Sequence, residues 1–129
     1  MAKDIALFNI LTNNLMSVAR EMSADFLRSA YSVVIREAAD CSTFLADAKG
    51  RILAQPQDQP LHMNSVSRAL TGALSKIDAT NLTEDDAIIL NDPYSGGQHL
   101  SDIYIFSPIV HDGKLVAFAG TTGHHADLG

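Results

Sequence analysis

The chain has a single cysteine, Cys41, so no disulfide can close within it and a reducing compartment is the expectation. It has no basic run either: nine Lys and Arg stand against fifteen Asp and Glu, for a formal net charge of −6. A nucleic-acid surface needs clustered cations to meet phosphates, so that class is excluded. No stretch approaches the roughly 20 apolar residues of a membrane span. The start, Met1 to Asp4, lacks the apolar core of a signal peptide, and a cytoplasmic protein without a membrane partner is expected. Repeats, low-complexity segments and linkers are missing as well, so the 129 residues read as one domain. At 47% hydrophobic and 19% charged, the chain can bury a core.

What is there changes period along the chain. Residues 1–39 read as helical: Phe8, Leu11, Leu15, Val18, Met22 and Phe26 step by three or four, one face of a helix. Ser23 to Asp25 is an expected break, with a second helix running to about Ala38. Residues 40–129 read as mixed β/α. Ser42–Ala46 and Arg51–Ala54 flank a Gly50 turn, a β-hairpin signal. Pro56 and Pro60 bracket a polar loop. Asn64 or Ser65 caps a helix with Val66, Leu70 and Leu74 inward, ending near Ile77. Ala87–Leu90 is a short strand. The fold class is α+β: N-terminal helices packed on an antiparallel sheet built from two hairpins and a short strand.

The second hairpin carries the chemistry. Ile103–Val110 and Leu115–Ala119 flank an Asp112-Gly113 turn, and tight pairing makes facing residue numbers sum to 225. Asp102 then arrives near His124, with His99 just beyond. Strict alternation places Asp102 and His124 on opposite faces. A single bulge would bring them level, and Pro108 is a natural place for one. Two imidazoles and a carboxylate form a common shell for a catalytic divalent metal with open positions. The alternative is that these histidines only cap strand ends. His125 reads as an outer donor or a substrate contact, and Asp127 as an outer carboxylate or a solvated residue. Asp92 before Pro93 suits an Asx-type turn. Gly96-Gly97 permits close backbone approach, but it lacks the Walker lysine of a phosphate loop. Cys41 reads as a small buried hydrophobe, His62 as structural or a pocket wall, and His111 as an exposed turn residue.

Asn91–Ile103 (Asn-Asp-Pro-Tyr-Ser-Gly-Gly-Gln-His-Leu-Ser-Asp-Ile) and Gly123–Gly129 (Gly-His-His-Ala-Asp-Leu-Gly) resemble the N-terminal part of the hydantoinase B/oxoprolinase family. Glu21-Met22, Arg28–Tyr31 and the hairpin from Phe44 to Gln55 resemble it too. Family members usually carry Thr where Gln98 stands and Pro where Ser101 stands, and both changes leave the ligand types intact. A family subunit is several hundred residues long, so an N-terminal fragment is expected. The resemblance implies a divalent metal, Zn or Mn, held by His99, Asp102 and His124, with Asp40 as a further ligand. It implies an ATP-dependent amidohydrolase opening a small cyclic amide such as a hydantoin, lactam or 5-oxoproline. A hydantoinase A-like partner subunit would bind the ATP in a hetero-oligomer, and His125 or Asp127 would orient the attacking water. Two alternatives stay open: a subunit of an ATP-dependent, acetone-type ketone carboxylase, and a non-catalytic, metal-stabilised scaffolding domain.

Overall fold

The computed structural model of the chain describes residues 2–57 and 60–128. Three helices and five strands follow in order: α1 (Ala2–Ser29), α2 (Val33–Ala38), β1 (Cys41–Asp47), β2 (Ile52–Ala54), α3 (Ser65–Leu74), β3 (Ile88–Leu90), β4 (Asp102–His111) and β5 (Lys114–His124). The strands form one antiparallel sheet in the order β2-β1-β5-β4-β3, so the α+β expectation holds. No helix among the described residues is long and apolar enough to cross a membrane. The middle of the expected polar loop, Asp58 and Gln59, lies outside the described residues.

Successive side chains of a strand point to opposite faces, and Phe44 and Leu45 divide the two cores accordingly. Phe44, Ala46, Tyr104, Phe106 and Phe118 pack against Val66, Ala69, Leu70 and Ala73 of α3. Leu45 and Ala54 meet Ala19 of α1, with Leu15, Met16, Met22 and Ala119 around them. On the α3 side, Phe44 and Phe106 flank Gly120 in register. Their rings meet edge-on at 5.9 Å, and a Cβ at Gly120 would lie 2.1 Å from the Phe44 ring.

Two helical expectations are corrected. α1 does not break at Ser23–Asp25. It runs unbroken to Ser29 and the interruption falls at residues 30–32, because neither Gly nor Pro stands at the expected site and Ser23 is buried. The stripe is also buried only in part: Phe8, Leu11 and Val18 are 67%, 52% and 46% exposed. A 28-residue helix is about 42 Å long at 1.5 Å per residue. Five strands about 4.8 Å apart cannot underlie all of it. α3 likewise ends at Leu74 rather than near Ile77.

The β1–β2 turn is closed by its own acid. The Asp47 carboxylate accepts from the backbone N–H groups of Lys49 and Arg51, each at 2.9 Å, and from Arg51 Nε at 2.6 Å. These donors, Arg51 N–H foremost, hold the Asp47 carboxyl below the usual carboxylate range. Asp47→Ala is expected to cost about 1 kcal/mol at pH 7. With the folded pKa depressed, this stabilisation is present above the unfolded value of about 3.9 and is lost as pH falls through the folded one. Urea unfolding of both proteins at pH 7 and pH 3 checks it: the gap between them should narrow in acid.

A bulge exists, but its extra residue is on β5 rather than at Pro108, which pairs in register with Phe118. Val110 faces Leu115 and His111 faces Lys114, but from Ile109↔Ala117 onward the pairing has slipped by one, leaving Val116 unmatched. Asp102 therefore pairs directly with His124, and both side chains lie on the face that α3 covers.

Candidate metal centre

Each member of the site is delivered by a separate piece of local structure. Asp102 opens β4 and His124 ends β5, level with each other by the slipped register. His99 comes from the loop after a 3₁₀ turn at Pro93–Ser95. That loop is shaped by Asp92, whose Oδ1 accepts from Tyr94 N–H at 3.0 Å in the expected Asx-type turn, and whose Oδ2 pairs with Lys76 Nζ at 3.3 Å. Gly96 takes φ 106°, and a Cβ there would fall 2.5 Å from the Arg68 carbonyl oxygen. The loop closes on β4 by two reciprocal bonds: Asp102 N–H donates to the His99 carbonyl at 3.1 Å, and His99 N–H donates to Asp102 Oδ2 at 2.9 Å.

Around the Asp102 carboxylate the two rings converge. His124 Nδ1 lies 2.7 Å from Oδ1 and His99 Nδ1 lies 3.2 Å from Oδ2. The rings are 5.8 Å apart and nearly perpendicular. One ligand atom from each of His99, Asp102 and His124 lies within 4.8 Å of the other two. Asp102 is 1% exposed while the His99 side chain is 68% exposed, so the cluster opens to solvent on the His99 side.

The donor set fits a divalent cation. Metal–nitrogen bonds of about 2.0–2.1 Å in a tetrahedral shell put neighbouring donors about 3.3 Å apart, inside the 4.8 Å within which the three donor atoms lie. Imidazole with carboxylate is also the chemistry that borderline metals take.

Asp40, implied only by the resemblance, stands one strand over. Its carbonyl accepts from His124 N–H at 2.9 Å, continuing the ladder in which Cys41 pairs with Gly123. That puts Asp40 on the same face as His124 and Asp102, but its carboxylate is not a member of the three-residue cluster. β1 pairing with β5 is what brings it near, and nothing in the local sequence signals that pairing.

His62, read from the sequence as structural or a pocket wall, proves to be tied to the residue beside the cluster. It is 3% exposed, with Nδ1 at 3.1 Å from Ser42 Oγ and Nε2 at 3.7 Å from Asp40 Oδ1. Burial, which outweighs the pull of Asp40 and Asp102, holds His62 below the usual imidazole range. With the folded pKa lowered from about 6.5, the unfolded chain takes up the proton first. Stability is therefore full above about pH 6.5 and falls as pH drops below it. His62→Gln should flatten that slope between pH 7 and pH 5 in urea unfolding.

The remaining candidates lie elsewhere. His125 and Asp127 line a cleft of about 600 Å³ with Ala30, Tyr31, Ser32 and Ile35 at the α1–α2 connection. His125 N–H donates to the Ser101 carbonyl at 2.9 Å. Cys41 is buried, and His111 is 80% exposed in its turn, 3.6 Å from Asp112.

Comparison with known proteins places this geometry. The family model described as hydantoinase B/oxoprolinase matches residues 4–129. 5-Oxoprolinase 1 of Arabidopsis thaliana is 33% identical over 126 residues, covering 98% of this chain and 10% of that protein. Caprolactamase subunit beta of Pseudomonas jessenii is 29% identical over 120 residues, covering 93% of this chain and 20% of that one. The crystal structure of the ATP-dependent caprolactamase from that organism superposes with a TM-score of 0.84 at 28% identity, over 96% of this chain and 21% of that one. An acetone carboxylase structure superposes with a TM-score of 0.86 at 22% identity, over 99% of this chain and 17% of that one; that likeness is one of fold alone. The chain thus spans about a tenth of the 5-oxoprolinase and about a fifth of the caprolactamase subunit. With its matched span and its relatives taken together, it belongs to the hydantoinase B/oxoprolinase family.

Proposed function

We propose that the chain is the metal-binding part of a subunit that opens a cyclic amide, with ATP bound by a hydantoinase A-like partner in a hetero-oligomer. The observation that carries this is the convergence of His99, Asp102 and His124 on one point at the open end of the hairpin. Relatives named as a 5-oxoprolinase and as the beta subunit of a caprolactamase support both the substrate class and the partner, and the ATP-dependent caprolactamase supports the nucleotide.

The net reaction takes a lactam-type ring, ATP and two water molecules to an open-chain amino acid, ADP and phosphate. Ring amides are poor electrophiles. Transfer of the terminal phosphoryl group to the amide oxygen gives an imidate-like carbon. One water adds there, and the ring C–N bond breaks with the nitrogen leaving as the protonated amine. A second water hydrolyses the resulting acyl phosphate to carboxylate and phosphate. His99, Asp102 and His124 would hold a divalent cation, Zn or Mn, with Asp40 as a further ligand. When bound, that ion supplies Lewis acidity at this corner. Asp102 fixes both rings, since its two oxygens each face one Nδ1. His125 and Asp127 follow His124 directly and line a cleft of about 600 Å³, a size that suits a small ring. His125 or Asp127 would orient the attacking water.

The test has two stages. Elemental analysis of the purified chain should find one divalent metal per chain. ADP release is then followed in the whole assembly with its partner, over 5-oxoproline, hydantoin, caprolactam, and ketones with bicarbonate. Stimulation by a cyclic amide supports the proposal; stimulation only by a ketone with bicarbonate replaces it with a carboxylase. If His99→Ala loses metal while the assembly turns over normally, the domain is a scaffold and both enzyme readings fall.

A further inference from the structure

We infer that His62 is a positioning residue that aims the Asp40 carboxylate at the cluster formed by His99, Asp102 and His124. This rests on the metal-binding reading above and adds a residue that the reading does not use. Asp40 and Ser42 are two apart, and so share one face of the sheet edge. The single imidazole of His62, brought in by the turn at Pro60–His62, bridges them. Its Nδ1 meets Ser42 Oγ at 3.1 Å and its Nε2 lies 3.7 Å from Asp40 Oδ1.

The bridge has a direction. When the Ser42 hydroxyl donates to Nδ1, the ring proton must sit on Nε2, the nitrogen facing Asp40. Ser42 is 1% exposed and His62 3%, so neither can turn away to water. The Asp40 backbone is already tied: its N–H donates to the Val34 carbonyl at 3.4 Å and its carbonyl accepts from His124. Only its side chain, 33% exposed, retains a choice of rotamer. At 3.7 Å the Nε2–H and carboxylate attract without a formed hydrogen bond. His62 acts as an outer partner of the sort that orients ligating groups in metal sites.

The experiment titrates the 129-residue chain with Zn²⁺ in competition with a chromogenic chelator. Asp40→Asn should weaken binding, and His62→Leu should weaken it by roughly 10- to 100-fold, the usual effect of losing an outer partner. His62→Gln, whose amide can donate from near the Nε2 position, should stay within about 3-fold of the parent protein. In the Asp40→Asn background, His62→Leu should cause no further loss, because coupled residues are not additive. Parent-like affinity of His62→Leu overturns the inference while leaving the metal site standing. So does an unaffected Asp40→Asn, or an equal loss with Asp40 present and absent. If the parent chain takes up no Zn²⁺, both the inference and the reading beneath it fall. Far-UV circular dichroism checks the fold. Should His62→Leu fail to fold, Ser42→Ala carries the same comparison, with a loss that must vanish in the Asp40→Asn background.

Discussion

Asp102→Asn is expected to leave the chain folded and to lower its Zn²⁺ affinity by well over the ~100-fold that loss of an outer partner costs. The substitution keeps shape and changes only charge and donor pattern. Asp102 is 1% exposed, accepts from His99 N–H, and faces the Nδ1 atoms of both histidines. An amide oxygen can still take the His99 N–H. The amide NH₂ must then face the His124 ring, where a donor opposes a cation instead of attracting it. The same chelator competition reads the effect, with His111→Ala as the control, since His111 stands exposed in the distant turn. Parent-like Zn²⁺ affinity in a folded Asp102→Asn protein would mean that the converging rings hold no metal.

The second large effect is structural. Gly72→Ala, a change that ordinarily favours a helix by up to about 1 kcal/mol, is expected to destabilise by about 3 kcal/mol. Melting should fall by roughly 10 °C. A Cβ at Gly72 would lie 1.8 Å from the Ser95 carbonyl oxygen and 2.8 Å from its carbon. The obstacle is backbone, so no rotamer relieves it. Ser95 is itself held by Asp92 and Lys76, and the same loop delivers His99 four residues later. Displacing it should therefore weaken Zn²⁺ binding as well. Gly113→Asn is the contrast: φ is 70° there and a Cβ meets nothing within 4 Å, a conformation Asn tolerates. Thermal unfolding of both variants decides the matter, and an unchanged melting temperature for Gly72→Ala would refute the packing account.

How much could be read beforehand follows from where the information sits. The hairpins, the short strand and α3 are local, marked by turn residues and by a period of two or 3.6, and they appear close to where they are expected. The convergence of Asp102 with His124 was legible as a counting argument that needed one extra residue, and Val116 supplies it. The pairing of β1 with β5 was not legible. Two strands far apart in sequence meet because Phe44 and Phe106 close over Gly120, a packing fact with no local signature. Everything that depends on that pairing was hidden with it: the position of Asp40 beside His124, and the burial of His62 against Ser42. The length of α1 misled for the opposite reason. Its periodicity is real, but periodicity does not say how much sheet lies beneath a helix.

The unmatched Val116 makes the site a matter of parity. Removing Val116 would restore strict pairing and keep Asp102 opposite His124, whereas removing another single residue with the bulge kept would turn the two to opposite sides. Changes made in twos near the tip would preserve their meeting. Redesign at that end of the ribbon is thus free in composition, and its length can change by the unmatched residue or by one residue in each strand.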